Sequence, residues 1–333
     1  MSERYGIPPI DLTGLKTVSL TERGGKVRTA DFARPWAPET GVAGWVDSLP
    51  KILAADTLRA VADRILAARA KGKPVIWGMG GHVIKCGLAP VLLDLMRRNL
   101  ATAFAMNGSG SIHDFEIAVA GHTSEDVESV LPDGRFGSAE ETGREWNRAM
   151  SAAMVGKFGA GEALGRALEM LAAEQYAESS ILLQAWRARV PVTVHVAIGT
   201  DTPHTHPAAE PEAIGSATHY DFRLFCSLVE SLNDGGVYIN AGSAVVMPEV
   251  FLKAVSCVRN LGRTVGNFTT VNLDFIQHYR PRVNVVERPH VQAGGKGYSL
   301  TGHHEIMIPL LAAILIEGAG REHAGNAPAG KTA

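Results

Sequence analysis

Cysteine is scarce in this chain. Its 333 residues carry three, Cys86, Cys226 and Cys257, widely spaced and without a Cys-x-x-Cys pair. Neither a disulfide framework nor a zinc ribbon is indicated, and reduced thiols of a cytosolic protein are expected. An excess of positive charge is also missing, with 32 Lys and Arg against 34 Asp and Glu and no basic stripe along the chain. That argues against nucleic acid as the main partner. No apolar run is long enough for a bilayer; residues 306–316 are too few and include Pro309. Residues 1–9 are polar and lack the apolar stretch of a signal peptide, so a cytoplasmic enzyme without a membrane partner is expected.

What the chain does contain is glycine, proline and apolar side chains. With 36 Gly, 17 Pro and 46% hydrophobic residues it can build a sizeable core with many tight connections. Residues 1–50, with Pro8, Pro9, Pro35, Pro38 and Pro50, read as an arm that wraps the body or a partner subunit. Residues 51–318 read as one α/β domain, and 319–333 as a small, polar tail that frays. Within the domain, helix-period and strand-type segments alternate, which predicts a Rossmann-like parallel sheet with helices on both faces.

A strand at 74–77 runs into Gly78-Met79-Gly80-Gly81-His82 and a helix over 83–98 that Pro90 kinks. A strand at 101–106 runs into the glycine loop 107–111 and a helix from 112. The polar block 121–161 reads as a lid, and 162–188 as one long helix. Further strands are expected at 192–198, 236–240, 267–273 and 282–286, with a glycine-rich turn at 294–297 and a closing helix over 306–317. Four strands thus end in loops of Gly, Ser, Asn or Thr, and such strand ends line the ligand crevice of an open parallel sheet.

Glycine loops that open helices offer free backbone N–H groups to a phosphate. Gly78, Gly80, Gly81, Asn107, Gly108, Ser109, Gly242 and Ser243 are therefore dinucleotide-binding candidates, with tight turns as the alternative reading. Asp114 is a candidate for a ribose hydroxyl or a substrate amine; otherwise it serves the helix dipole. Asp201, His204 and His206 suggest either a metal loop or substrate-binding histidines. Lys296 lies between glycines, where a desolvated lysine can form an imine. His303 and Glu305 join His204 and His206 as acid/base candidates.

Taken in order, these segments resemble the deoxyhypusine synthases. WGMGGHVIKCGL at 77–88 looks like that family's strand, loop and helix, NGSGSIHDFE at 107–116 its Thr-x-Gly-Gly-x-x-Glu-Asp loop, and Thr200-Asp201 its Thr-Asp-Gly loop. The closing Pro309-Leu310-Leu311 is similar to its Phe-Pro-Leu-Leu helix. The resemblance implies NAD, a homotetramer, and transfer of an aminobutyl group from spermidine to a protein lysine through an imine on an enzyme lysine. Two departures stand out. The family's catalytic lysine follows a Trp-Gly pair that Lys296 lacks, and Arg280 and Arg282 occupy the place of an acidic polyamine loop.

The expectation is an NAD-dependent transferase-type enzyme that oxidises a small amine or related substrate and then transfers or eliminates a group, with spermidine replaced by a substrate more compatible with arginines. The alternative is a metal-dependent hydrolase or isomerase of a phosphorylated small molecule, using Asp201, His204 and His206.

Overall fold

The computed structural model describes residues 4 and 6–325. Six short runs form a single sheet: β1 (Val75–Met79), β2 (Ala103–Asn107), β3 (Val192–His195), β4 (Val237–Ala241), β5 (Thr269–Asp274) and β6 (Lys296–Thr301). Their spatial order is β3-β2-β1-β4-β5-β6, and every neighbouring pair is parallel. The chain steps outward from β1 to β3 and then returns to β4 on the other side of β1. This reversal makes β1/β4 the switch point of a doubly wound α/β fold.

Helices α1 (Gly41–Ser48) and α2 (Leu53–Ala70) precede β1. Between β1 and β2 lie α3 (Gly81–Lys85) and α4 (Ala89–Arg97). The β2–β3 connection holds α5 (Gly108–Ala120), α6 (Val127–Val130), α7 (Glu140–Gly156), α8 (Ala160–Leu171) and α9 (Ile181–Ala188). α10 (Pro211–Ser231) and α11 (Val246–Asn260) make the next two crossovers. The single turn α12 (Tyr279–Pro281) and a wide helical turn, Arg282–Glu287, lead to β6, and α13 (His304–Gly325) follows it.

Alternation along the strands explains why helices cover both faces. Val75, Trp77 and Met79 of β1, with Phe104, Met106, Val237 and Ile239, pack on Val61 of α2, Leu92 of α4, Phe115 of α5, Trp146 of α7 and Leu311 of α13. Ile76, Ala103, Ala105 and Tyr238 point the other way, onto Phe225 of α10 and Phe251 of α11. The Tyr238 and Phe251 rings stack 3.9 Å apart. Each such fully buried side chain contributes about 1.5–3 kcal/mol relative to exposure.

Several expected boundaries move. The helix expected over 83–98 breaks at Gly87, whose φ is +72°, and Pro90 sits in the first turn of α4, where its missing N–H leaves nothing unsatisfied. The helix expected over 162–188 is two, because Ser180 caps α9 by accepting from the N–H of Leu183 at 3.1 Å. Much of the expected lid is α7, with Trp146 wholly buried.

The strand expected at 282–286 is the wide helical turn instead, tied to the sheet by Thr270 Oγ1 donating to Val285 O at 2.7 Å. The sixth strand is 296–301, where Tyr298 and Leu300 are buried in alternation with exposed residues. Residues 319–325 of the expected tail continue α13, and 326–333 lie outside the described residues. The arm folds in part: α1 packs on α13, with Ala43 N–H donating to Glu317 at 2.9 Å. Among the described residues no helix is long and apolar enough to cross a membrane.

Candidate functional site

The carboxyl ends of β1, β4 and β5 are stitched together by their own backbone. Gly80 N–H donates to Ala241 O at 3.0 Å and Gly242 N–H to Leu273 O at 3.2 Å. A Cβ on Gly80 would stand 2.2 Å from Gly242 O, one on Gly81 2.5 Å from Ser109 Oγ, one on Gly78 2.3 Å from the Tyr238 hydroxyl, and one on Gly108 2.0 Å from Asp201 Oδ2. At these four positions protein atoms take up the space, so close packing of the strand-end elements demands glycine. Gly242 differs. At φ +64° it lies beside the fully buried His304 ring, where a Cβ would be 3.0 Å from Cε1, so both the backbone conformation and the crowding favour glycine.

The two glycine segments are also less loop-like than the sequence suggests. Gly81 and Gly108 are already the first residues of α3 and α5. Asn107 is the N-cap of α5, its Oδ1 accepting from Gly110 N–H at 2.9 Å and from Ser109 Oγ at 3.2 Å. Ser243 Oγ accepts from Met247 N–H at 3.1 Å at the entry to α11.

On the β2–β3 side a cleft of about 220 Å³ is lined by Lys85, Ser109, His113, Thr200 and Asp201. Asp201 is 8% exposed, its Oδ2 has no partner, and burial pushes its carboxyl up to about 6. Burial, followed by the charge of Lys85, holds the His113 imidazole down to about 4, while Nδ1 of that ring pairs with Thr123 Oγ1 at 2.7 Å.

His204 Nδ1 accepts from Gly199 N–H at 3.2 Å, which puts the proton on Nε2, and that buried atom has no partner. His206 Nδ1 accepts from Ala208 N–H, and its Nε2 faces Glu140 at 3.2 Å. Asp201, His204 and His206 therefore do not converge. Among the described residues, three metal-ligating atoms gather within 4.8 Å of one another only at His82, Cys86 and Glu305. The metal loop considered from sequence is corrected accordingly.

Those three residues belong to the β4–β6 side. His82 comes from α3, Cys86 is the C-cap of that helix and Glu305 lies in the first turn of α13, with Cys86 Sγ 3.3 Å from His82 Nε2 and 3.9 Å from Glu305 Oε2. His304 is fully buried beside them. Its Nε2 lies 3.3 Å from Leu273 O and 3.7 Å from Asp274 Oδ1, and its Nδ1 has no partner. Below runs a chain of amides, with Asn240 Nδ2 donating to Asn272 Oδ1 at 2.8 Å, Asn272 Nδ2 to Gln277 Oε1 at 2.7 Å and Gln277 Nε2 to Leu300 O at 3.1 Å. His303 is exposed and stacks on Phe275 with ring centroids 5.8 Å apart.

Two expected site residues lie elsewhere. Lys296 opens β6 at the amino end of the sheet, paired in register with Thr269, and its ammonium rests 4.8 Å from the Tyr298 ring centroid. It is exposed, on a strand rather than in a tight turn, and away from the strand ends that carry His303 and Glu305. Asp114 is fully buried and faces α9, where it accepts from Ser180 Oγ, Ile181 N–H and Leu182 N–H at 2.6, 2.7 and 3.0 Å. His82, Cys86, Asn240, Asn272 and Asp274 are the site groups that the sequence reading passed over. The His82/Cys86 spacing of four was the available signal, usable once a helix is known to start at Gly81.

Neither the family models nor the curated proteins compared with the chain match it. Solved structures do. The ternary complex of AgrE with ornithine and NAD+ superposes with a TM-score of 0.51 at 14% identity, over 79% of this chain and 33% of that one. A conserved putative LOR/SDH protein from Methanococcus maripaludis S2 gives 0.51 at 14%, over 80% of this chain and 69% of that one. A putative deoxyhypusine synthase from Entamoeba histolytica gives 0.47 at 11%, over 85% and 96%. The chain thus spans about a third of the length of AgrE. The likeness is one of fold.

Proposed function

We propose that this chain is an NAD-dependent enzyme that oxidises a small amine or hydroxy compound, with group transfer or elimination following the oxidation. The observation that carries the reading is where its unsatisfied polar atoms lie. Among the described residues seven buried side-chain atoms lack a partner; four of them, Asp201 Oδ2, His204 Nε2, Asn240 Oδ1 and His304 Nδ1, lie on β4, on the segment after β3 or at the start of α13, at the carboxyl edge of a doubly wound sheet, and those of Asn147, Asp221 and Tyr238 lie elsewhere. Such atoms cost about 1–3 kcal/mol each unless something satisfies them, and this edge is where such folds hold their ligands.

The residues fit a dinucleotide. The cleft of Lys85, Ser109 and Asp201 suits an adenosine half, and the partnerless Asn240 Oδ1 and His304 Nδ1 mark the nicotinamide end. When bound, NAD supplies a hydride acceptor. The chain itself supplies the proton acceptor at His304 Nδ1 and a polar surface at His82, His303 and Glu305 for the substrate. The fold likeness to AgrE, whose complex holds ornithine and NAD+, supports the same reading.

Calorimetry and melting with NAD+ test it. At about 100 times its Kd the ligand adds about 2.7 kcal/mol, which for a chain of this size raises Tm by roughly 4 °C. L-Ornithine and spermidine are then the first amines to screen for NADH formation. A chain that gives neither binding heat nor a shift in Tm is not an NAD enzyme.

The homotetramer belongs to the same proposal. Ile7, Ile10, Leu12, Leu15, Val18 and Leu20 are all exposed along the arm, which suits packing on a second subunit. Deleting residues 1–40 is expected to lower the solution mass from that of a tetramer, as read by light scattering; an unchanged mass removes the arm from assembly.

A further inference from the structure

We propose that His82, Cys86 and Glu305 form a zinc site with one open coordination position. His82 and Cys86 sit one helical turn apart, the N–H of Cys86 donating to His82 O at 3.0 Å, so both side chains leave the same side of that turn. Glu305 reaches them from α13, across the crevice. With Zn–S near 2.3 Å and Zn–N and Zn–O near 2.0–2.1 Å, tetrahedral zinc holds its ligand atoms roughly 3.3–3.6 Å apart. The separations of 3.3 Å for sulfur to imidazole and 3.9 Å for sulfur to carboxylate bracket that range. Side-chain adjustments of a few tenths of an ångström would close the site.

The donor set selects the ion. A sulfur ligand rules against magnesium and calcium, and a mixed thiolate, imidazole and carboxylate set suits zinc. His82 and Glu305 are exposed and Cys86 is half-buried, which gives the ion an entry path and leaves the fourth position open to solvent. The rings of His304, edge-on at 5.4 Å, and Phe275, at 5.9 Å, wall in the His82 imidazole and limit its rotation.

A cysteine nucleophile activated by histidine is the competing use of the same trio. That arrangement is a relay, in which the carboxylate orients the imidazole and the imidazole takes the thiol proton. Here Glu305 contacts the sulfur, and among the described residues there is no hydrogen bond between Glu305 and His82. Three donors converging on one point describe coordination rather than relay. An ion at this point lies on the side of the crevice assigned above to the nicotinamide end, where its open position would hold an amino or hydroxyl group of the substrate. Only this last role rests on the NAD reading; the metal site does not.

The test uses the full-length chain, stripped with a chelator and titrated with Zn2+ against a chromophoric competitor, and separately with Co2+. One Zn2+ per chain and a thiolate-to-cobalt charge-transfer band in the near ultraviolet are expected. Cys86→Ser is expected to abolish the band, and both Cys86→Ser and His82→Ala to weaken zinc by at least about 100-fold, since even changes in the surrounding shell cost 10–100-fold. A Cys226→Ser, Cys257→Ser double variant should keep both signals. Glu305→Gln, on an exposed side chain, provides a second route if either ligand variant fails to fold. Zinc well below one per chain, a band that survives Cys86→Ser, or rapid alkylation of Cys86 under saturating zinc would each overturn the site. Zinc binding by a chain that ignores NAD+ would leave the site standing and remove the NAD reading; NAD+ binding without zinc would do the reverse.

Discussion

Asp114→Ala is expected to cost about 3–5 kcal/mol of folding stability, a large share of the 5–15 kcal/mol typical of a folded chain. The carboxylate accepts from the Ser180 hydroxyl and from the N–H groups of Ile181 and Leu182, the opening residues of α9, where no water reaches. Alanine would leave two buried N–H groups unpaired and a small cavity beside them. The urea midpoint of the variant measures this directly. A loss below about 1 kcal/mol would show that α9 is held by something other than Asp114.

The same carboxyl has a definite signature in pH. Burial pushes it up to about 6 from the ordinary 3.8, so the part of its contribution that comes from being protonated is fully present below about pH 3.8 and is lost as pH rises through 6, while its hydrogen bonds to α9 remain. His113 and His195 act in the opposite sense. Burial holds them down to about 4 and about 3, so the unfolded chain takes up their protons first and their contribution fades as pH falls below 6.5. In the wild type the two trends offset each other between pH 6.5 and 4. Asp114→Asn removes part of the first, which Asp201 and Asp221 share, and is expected to lose stability somewhat more steeply over that interval.

Asp114 also shows where reading a sequence stops. Its place after a glycine segment put it in the first turn of a helix expected from 112, but α5 begins at Gly108 and holds Asp114 in its middle, and only the packing of α9 against α5 reveals what the side chain serves. The break between α8 and α9 was hidden for the same reason, since it depends on a carboxylate 66 residues away from Ser180. β1, β2 and β4 were legible because each is a short, largely apolar run that leads into a glycine, at 80, 108 and 242, and β5 because its run ends in Asp274. β6 was not: its alternation begins at Lys296, directly after Gly294-Gly295, and the apolar run 282–286 competed for the same role. That exchange also misplaced Lys296, because which end of a strand a residue occupies decides whether it can reach the crevice. His303 and Glu305 were legible as a cluster of titratable groups before a closing helix, and the structure sets them beside His82 and Phe275.

His304→Gln is expected to lower turnover by about 10²–10⁴-fold while leaving NAD+ binding in place. Nε2 of this ring faces the Leu273 carbonyl and, at longer range, the Asp274 carboxylate. Both groups only accept, so Nε2 carries the proton and Nδ1 is left as a free lone pair. Burial outweighs the pull of Asp274 and holds the imidazole below its ordinary range, so the ring is neutral at pH 7 and ready to take a proton from an amine or hydroxyl group that is being oxidised. The rate then falls only as pH drops through that lowered value, and the acid limb of the wild-type profile lies below the usual imidazole range. Glutamine can still donate to Leu273 O, so the variant isolates the proton acceptor from the ring's structural contact. NADH formation from whichever amine the screen identifies supplies the rate. Loss of the acid limb along with the drop in kcat marks His304 as the base. A drop in rate with the limb intact would mean that the ring only positions its neighbours, His82 first among them, and that the proton leaves by another route.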